Sequence, residues 1–270
     1  MKIWLADSAK ANLHYATAAL APRRARLLIS FHYFRTIDIA ELFAGCDPVP
    51  DVFLDSGAFS AATLGEEIDI GEYAAYIERN APYVSLYANL DVIGNHEKTL
   101  ANQRYLGRRG LRPMPVFHAH EPWEVLAEMA QEYDYIALGG IAIKGTGSFA
   151  PWIKKSFEIA GNRKLHGFGV SNWFLLRAFP WESVDHTSWG QGFRYGQIPV
   201  FDPGYGRFVK INLRDPRLAW RHSRLLYSYG FSPNDACLWT RSKRLSLCAV
   251  AAQSWMEAER WLTQWHKQDE

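Results

Sequence analysis

The sequence predicts a (β/α)8 barrel carrying a C-terminal, mainly helical extension. Eight short apolar runs rich in β-formers recur along the first 190 residues, and stretches of helical spacing separate several of them. No glycine-rich GxGxxG turn follows the first run, as a dinucleotide-binding open sheet would require. A chain of 270 residues with 48% apolar and 14% aromatic content can bury the core of one such barrel without a second domain.

The runs fall at residues 2–6, 26–31, 51–55, 83–91, 114–118, 135–140, 164–170 and 183–188. Helical spacing is clearest over 70–79, 98–109, 121–132 and 149–160, and Pro122, flanked by Glu121 and Glu124, marks the first turn of the third of these. Residues 1–190 are therefore assigned to the barrel. After Gly190 the chain becomes turn-rich and aromatic, with Asp202-Pro203-Gly204-Tyr205-Gly206-Arg207 pointing to an ordered loop or small hairpin. The remainder has helical character, so residues 191–270 are expected to form an extension packed on the barrel. Within it, Arg214, Arg217, Arg221 and Arg224 recur at spacings of 3, 4 and 3, which predicts four guanidinium groups along one helix face.

The net charge of +2 hides an asymmetry. Residues 201–270 hold 11 Lys and Arg against 7 Asp and Glu, while residues 1–200 hold 19 against 21. The basic excess lies in the extension, where the arginine series and Arg241-Ser242-Lys243-Arg244 are interleaved with Trp220, Tyr227, Tyr229 and Trp239. That composition suits a phosphate-backbone surface with stacking groups, or a merely solvated helix face. Cys46, Cys237 and Cys248 are too few and too scattered for a disulfide framework. No apolar run approaches the roughly 20 residues of a membrane span, and the N-terminus lacks a signal-peptide stretch. A cytoplasmic protein with no membrane partner is expected, in the host cytoplasm if the gene belongs to a phage.

Candidate site residues stand where apolar runs end, because strand ends gather at one face of a barrel. Asp55 and Asp185 close two such runs, and Asp91 and Gly139-Gly140 close two more. Each has a plainer reading: Asp-Ser-Gly is a common Asx-turn composition, Asp185 can cap a turn, and paired glycines suit a strand-to-loop turn.

The ordered segments Asp55-Ser56-Gly57-Ala58-Phe59, Leu138-Gly139-Gly140, Gly167-Phe168-Gly169-Val170 and Val184-Asp185-His186 carry a resemblance. They resemble, in order, the DSGGFQ signature, the base-binding glycine pair, the MGVG strand end and the FDC nucleophile segment of the tRNA-guanine transglycosylase family. The resemblance covers roughly residues 51–190. The chain departs from the tRNA enzymes in lacking their C-x-C-x2-C zinc motif and in being shorter. In this it resembles the shorter phage and bacterial relatives that insert 7-deazaguanines into DNA.

The resemblance implies a base exchange in which a polynucleotide guanine is replaced by a free 7-deazaguanine such as preQ0, with DNA favoured over tRNA and no cofactor or metal. Such chemistry needs a nucleophile for C1′, an acid/base and a hydrogen-bonding frame for the base. A carboxylate suits the first role, since it can attack an oxocarbenium-like centre and leave again. Asp185 is expected to be the nucleophile and Asp55 the acid/base, with Ser56 and Gly57 letting the backbone approach the base. Asp91 matches the position that reads the Watson–Crick edge of guanine, and Asn89, two residues earlier and so on the same strand face, is the neighbour that can point into the barrel instead. His118 stands where the tRNA enzymes have a base-contacting Gln. Gly139 and Gly140 would present backbone N–H groups to the base, and Gly169 belongs to the same frame. Phe59, Trp173 and Trp189 are candidates for stacking on the purine, although core packing explains each as well. Trp255, Trp261 and Trp265 fit burial better.

Two readings of other classes remain open. His118-Ala119-His120 resembles an H-x-H strand end of metal-dependent hydrolases, which would need His166 or His186 as further ligands. A catalytically silent nucleic-acid-binding barrel is the other.

Overall fold

A computed structural model describes residues 1–141, 149–191, 196–236 and 241–268, and excludes the side chains of residues 191, 216, 235, 236 and 241–245. Eight parallel strands alternate with helices: β1 (Lys2–Ala6), β2 (Arg26–Ser30), β3 (Asp51–Asp55), β4 (Val84–Tyr87), β5 (Val116–His118), β6 (Tyr135–Gly139), β7 (Lys164–Gly167) and β8 (Ser183–His186). Their order in the sheet is β4-β3-β2-β1-β8-β7-β6-β5. The two outer strands meet through a parallel bridge between Ala88 and Met114, where Met114 N–H donates to Tyr87 O at 2.8 Å and Asn89 N–H to Met114 O at 2.9 Å. The barrel is thereby closed, and all eight strands lie within the expected runs.

Alternation along each strand sorts side chains between two cores. Ile3, Leu5, Leu27, Ile29, Val52, Leu54, Phe117, Ile136, Leu138, Leu165 and Val184 face the helices in one large cluster. Trp4, Ala6, Leu28, Phe53, Ala88, Met114, Val116 and Ala137 fill the barrel interior. The same parity turns Asp55, His118 and Gly139 inward, each two residues from an interior neighbour on its own strand, and Asp185 inward as the neighbour of the outward Val184. Strand ends thus deliver them to one mouth.

Beyond β8 the chain forms an antiparallel hairpin, β9 (Gln197–Asp202) with β10 (Arg207–Asn212), as the turn-rich composition suggested. Two short helices, Pro216–Trp220 and Ser223–Ser228, follow. The long helix Arg241–Gln268 then packs along helix Lys10–Leu20 and strand β1. Glu259 accepts from Ile3 N–H at 2.6 Å and pairs with Arg26, while His186 packs on Trp255 with ring centroids 3.9 Å apart. The extension therefore supplies the barrel with an outer helix between β8 and the first helix. Among the described residues, no helix is long and apolar enough to cross a membrane.

The arginine series does not occupy one helix face. Arg214 precedes the first short helix, Arg221 caps its C-terminus, and the chain breaks at His222 (φ −112°, ψ 20°) before Arg224 enters the second helix. Pro216 starts the first helix, and no continuous i→i−4 ladder bridges the break. All four arginines are nevertheless exposed.

Candidate active site at the C-terminal mouth of the barrel

A pocket of about 400 Å3 opens at the C-terminal ends of the strands and is lined by Asp7, Asp55, Asp91, His118, Phe168 and Asp185, with Gly139, Gly140 and Gly169 among its backbone walls. That volume lies in the roughly 300–1,000 Å3 range of small-molecule sites. The sequence-expected residues Asp55, Asp91, His118, Gly139, Gly140, Gly169 and Asp185 are all brought together here.

Asp55 ends β3 and begins a tight turn in which its Oδ2 accepts from Gly57 N–H at 2.9 Å. The turn reading and the site reading coincide, because the same turn aims the carboxyl into the pocket. Burial, then the charges of Asp91 and Asp185, push its pKa up to about 8 against the pull of backbone N–H groups of Gly57 and Ser56. At neutral pH Asp55 carries a proton it can give away.

Asp91 is held from two sides. Ser56 Oγ–H donates to its Oδ1 at 3.3 Å, and His118 Nε2 lies 2.8 Å from its Oδ2. His118 Nδ1 lies 3.4 Å from Glu121 Oε1, and Glu121 Oε2 accepts from His118 N–H at 2.9 Å. Burial opposes a charge on this imidazole, but hydrogen bonds to Asp91 and Glu121 raise its pKa to about 9. It is an imidazolium clamped between two carboxylates. Such a raised pKa stabilises the fold fully below the ordinary histidine value and ceases to do so as pH rises through about 9. His118→Gln should therefore lose stability relative to the parent at pH 6 to 7, with the gap narrowing above pH 9 in thermal melts; a gap independent of pH would refute the clamp.

Several expected roles change. His118 has both ring nitrogens engaged, so it holds Asp91 in place and offers no free N–H to a base, unlike a Gln. Gly139 is small because a Cβ there would stand 2.7 Å from His118 Cδ2 and 2.8 Å from its Nε2. Ser56 is fully buried and supports Asp91 from behind. Gly57 adopts φ +82°, and a Cβ on it would stand 2.2 Å from Ser30 Oγ and 2.5 Å from His32 Cβ. Close packing against Ser30 and His32, together with the left-handed turn, explains this glycine better than approach of a base. Gly57→Ala should destabilise the protein by roughly 2–5 kcal/mol in calorimetry, and an unchanged melting temperature would contradict the geometry. Asn89 is not a base reader: its Nδ2 donates to Thr99 O at 2.8 Å and its backbone closes the barrel.

Asp185 Oδ1 accepts from Gly169 N–H at 3.0 Å, and His166 Nε2 stands 3.3 Å from the same oxygen. Gly169 thus contributes its backbone N–H to the carboxylate. His186, next in sequence, faces the opposite way; burial lowers its pKa to about 3, and its Nδ1 meets Ser188 Oγ at 2.9 Å. The ligand set for a metal-dependent hydrolase is not assembled, since His120 is exposed and His118 is saturated by carboxylates. Among the described residues, no three His, Cys, Asp or Glu side chains are arranged to hold a metal ion. Cys248 is buried beside Asn12, and Cys237 lies outside the described residues.

Sequence reasoning missed Glu121, Ser183 and Tyr135 as site partners and named His166 only as a metal ligand. Only the His118-x-x-Glu121 spacing carried a local signal. Of the aromatics, Phe59 lines the pocket and is 54% exposed, as is fitting for a stacking group, with Tyr33 and Ile93 exposed beside it. Trp189 is buried with its indole N–H donated to Ala6 O at 2.9 Å, and Trp173 packs on Phe201, Phe208 and Trp261. Trp255 and Trp261 also belong to the core. The side chains of Arg241, Lys243 and Arg244, and all of Trp239, lie outside the described residues.

No family model matches the sequence, and no curated protein matches it. Among solved structures, the carboxyl transferase domain of Rhizobium etli pyruvate carboxylase superposes with a TM-score of 0.45 and 11% identity over 95% of this chain. The chain spans 48% of that one's length. What stands on the geometry is a (β/α)8 barrel with an acid-rich pocket at its C-terminal mouth.

Proposed function

We propose that the protein is a base-exchange transglycosylase that replaces guanine in a polynucleotide, DNA in preference to tRNA, with a free 7-deazaguanine. The observation that carries this reading is the pair Asp55 and Asp185 in one pocket, one carboxyl protonated near neutrality and the other tethered through a single oxygen. Two carboxyls so differentiated divide acid/base and nucleophilic work between them.

In the first half-reaction, Asp185 attacks C1′ as the C1′–N9 bond breaks, and Asp55 gives its proton to the departing guanine. In the second, Asp55, now a carboxylate, takes the N9 proton of the incoming base; N9 bonds to C1′ and the electron pair of the C1′–O bond returns to Asp185. Asp91, with its charge balanced by His118, retains acceptor capacity for the N1–H and exocyclic amine of guanine, which adenine lacks. The base's remaining edge is placed against the backbone of Gly140, which lines the pocket just beyond β6. A duplex shields C1′, so the target nucleotide must be flipped or single-stranded, and exposed Tyr33 and Phe59 at the pocket mouth suit stacking on its neighbours.

Incubation with labelled 7-deazaguanine bases and either DNA or tRNA tests the reading. Incorporation into DNA above tRNA is expected; incorporation into neither polymer sinks it. A metal-dependent hydrolase is disfavoured by the missing ligand set, and a silent binder predicts no incorporation.

The polymer surface is proposed on the exposed arginines together with Trp220 and Tyr227, which are 46% and 54% exposed with ring centroids 6.5 Å apart. Replacing Arg217, Arg221 and Arg224 with Ala should weaken binding and flatten log K against log salt by about 0.7–0.9 per lost phosphate contact. Arg217 already bonds Asp215 at 3.0 and 3.1 Å, so Arg221 and Arg224 should account for most of the change. Unchanged affinity and slope would assign these side chains to a solvated face.

A further inference from the structure

We infer that His166 is a positioning residue for Asp185, oriented by a chain of hydroxyl groups through the barrel interior so that its Nε2–H faces Oδ1 and leaves Oδ2 as the reacting oxygen. The orientation stands on geometry alone; its kinetic consequence rests on the transglycosylase reading.

Below the carboxylates of the mouth, Trp4, Leu28, Phe53, Val116 and Ala137 pack the barrel interior, and a polar line runs beside them. Tyr135 begins β6, His166 lies on β7 and Ser183 begins β8, and these strands are neighbours in the sheet. Ser183 and Asp185 share a face of β8 because they are two residues apart. Tyr135 Oη lies 2.5 Å from Ser183 Oγ, and Ser183 Oγ lies 2.6 Å from His166 Nδ1. Both Ser183 and His166 are fully buried. The imidazole is walled by Phe53 and Phe168, with ring centroids at 5.0 and 4.6 Å. Among the described residues no aligned hydrogen bond reaches His166 Nε2, and Asp185 Oδ1 stands 3.3 Å from it.

Each hydroxyl has one proton to donate, so the chain has a direction. Burial raises the Tyr135 phenol above its ordinary pKa, so it keeps its proton and serves as a donor. With Tyr135 donating to Ser183, Ser183 keeps its own proton for His166 Nδ1, and the imidazole proton then sits on Nε2, facing the carboxylate; a Ser183 that accepted from both neighbours would instead point the Nε2 lone pair at Asp185. The reverse direction aims the Nε2 lone pair at the oxygen of Asp185 and leaves Tyr135 without its acceptor. Electrostatics select the first arrangement.

Oδ1 then accepts from Gly169 N–H and is faced by His166 Nε2–H from 3.3 Å, and among the described residues no hydrogen bond reaches Oδ2. Oδ2 is the oxygen left to bond C1′. In the covalent intermediate Asp185 is a neutral ester, and the two N–H groups face a weakly basic carbonyl. When N9 of the incoming base attacks and the C1′–Oδ2 bond breaks, the negative charge returns to Asp185 and the same donors receive it. His166 therefore favours breakdown of the intermediate over its accumulation.

Two measurements test this. Imidazole-15N labelling should show the Nε2–H tautomer of His166 in the parent protein and loss of that preference in Ser183→Ala. An Nδ1–H tautomer or an imidazolium in the parent, or an unchanged tautomer in Ser183→Ala, would overturn the orientation. For the kinetics, His166→Phe, checked by thermal melting, should slow exchange about tenfold to hundredfold while raising the fraction of enzyme trapped as nucleic-acid adduct. His166→Gln, which keeps an N–H, should recover part of the rate. An adduct fraction that falls with the rate would overturn the kinetic role. A parent that forms no adduct with either polymer would instead remove the transglycosylase reading, and the tautomer measurement would still decide the orientation.

Discussion

Asp185→Asn should abolish the covalent adduct and slow base exchange by roughly 10,000-fold or more, while nucleic-acid binding stays close to parental. The size follows from removing a nucleophile that no other pocket carboxyl replaces: Asp55 holds a proton at neutral pH, the oxygens of Asp91 are engaged by Ser56 and His118, and those of Asp7 by Ala9 N–H and Asn12. An amide keeps the shape of the side chain and its contact to Gly169 N–H through its oxygen, so folding should be spared. Binding should survive because the proposed phosphate contacts are made by other side chains, on the segments following β10. Rapid-quench measurement of adduct, with a filter-binding or anisotropy assay in parallel, checks both halves. Exchange at the parental rate in the Asn variant would remove Asp185 from the nucleophile role.

The second large effect is expected at Asp55, where activity and stability should move in opposite directions. Asp55→Asn should slow exchange by about 100- to 10,000-fold, the usual contribution of general acid/base catalysis. It should also make the protein more stable. A carboxyl whose pKa is about 8 in the fold and near the ordinary aspartate value when unfolded costs nothing below pH 4, because both states hold the proton. Between pH 4 and 8 the unfolded state ionises and the folded state does not, so folding is increasingly disfavoured. Above about 8 the cost levels off. The Asn variant escapes this cost, and its advantage in denaturant titrations should grow across that window to a few kcal/mol, on the order of the pKa difference. A stability difference that does not vary with pH would contradict a protonated Asp55. In the parent, the acid step should give an exchange rate that declines above about pH 8.

Much of this site was visible in the chain as a string. Asp55, Asp185 and Gly139 close apolar runs in the inward parity of their strands, and a barrel sends every such position to the same mouth. The eight runs located the strands because parallel barrel strands are buried on both faces and read as short continuous apolar segments. What stayed hidden depends on contacts that no spacing announces. Asn89 reads like a site residue, yet its backbone closes β4 onto β5 and its side chain reaches Thr99. Gly139 looks like a base-binding glycine and proves to be cut to the shape of His118. The arginine spacing suggests one helix, but the backbone leaves the helical conformation at His222 and divides the segment into two. Tyr135, His166 and Ser183 come from three strands, and only the pairing of β6, β7 and β8 in the sheet lines them up beside Asp185.

The account's central claim is that Asp185 becomes covalently attached to C1′ of the target nucleotide. Protein incubated with guanine-containing oligonucleotide in the absence of free 7-deazaguanine, then denatured and digested, should yield a nucleotide-bearing peptide containing residues 183–188, with the modification on Asp185 and with one guanine released per adduct. Adding a 7-deazaguanine base before denaturation should discharge that adduct and place the base in the polymer. An adduct on another residue, or incorporation of the base with Asp185 unmodified and replaceable by Asn, would contradict the account.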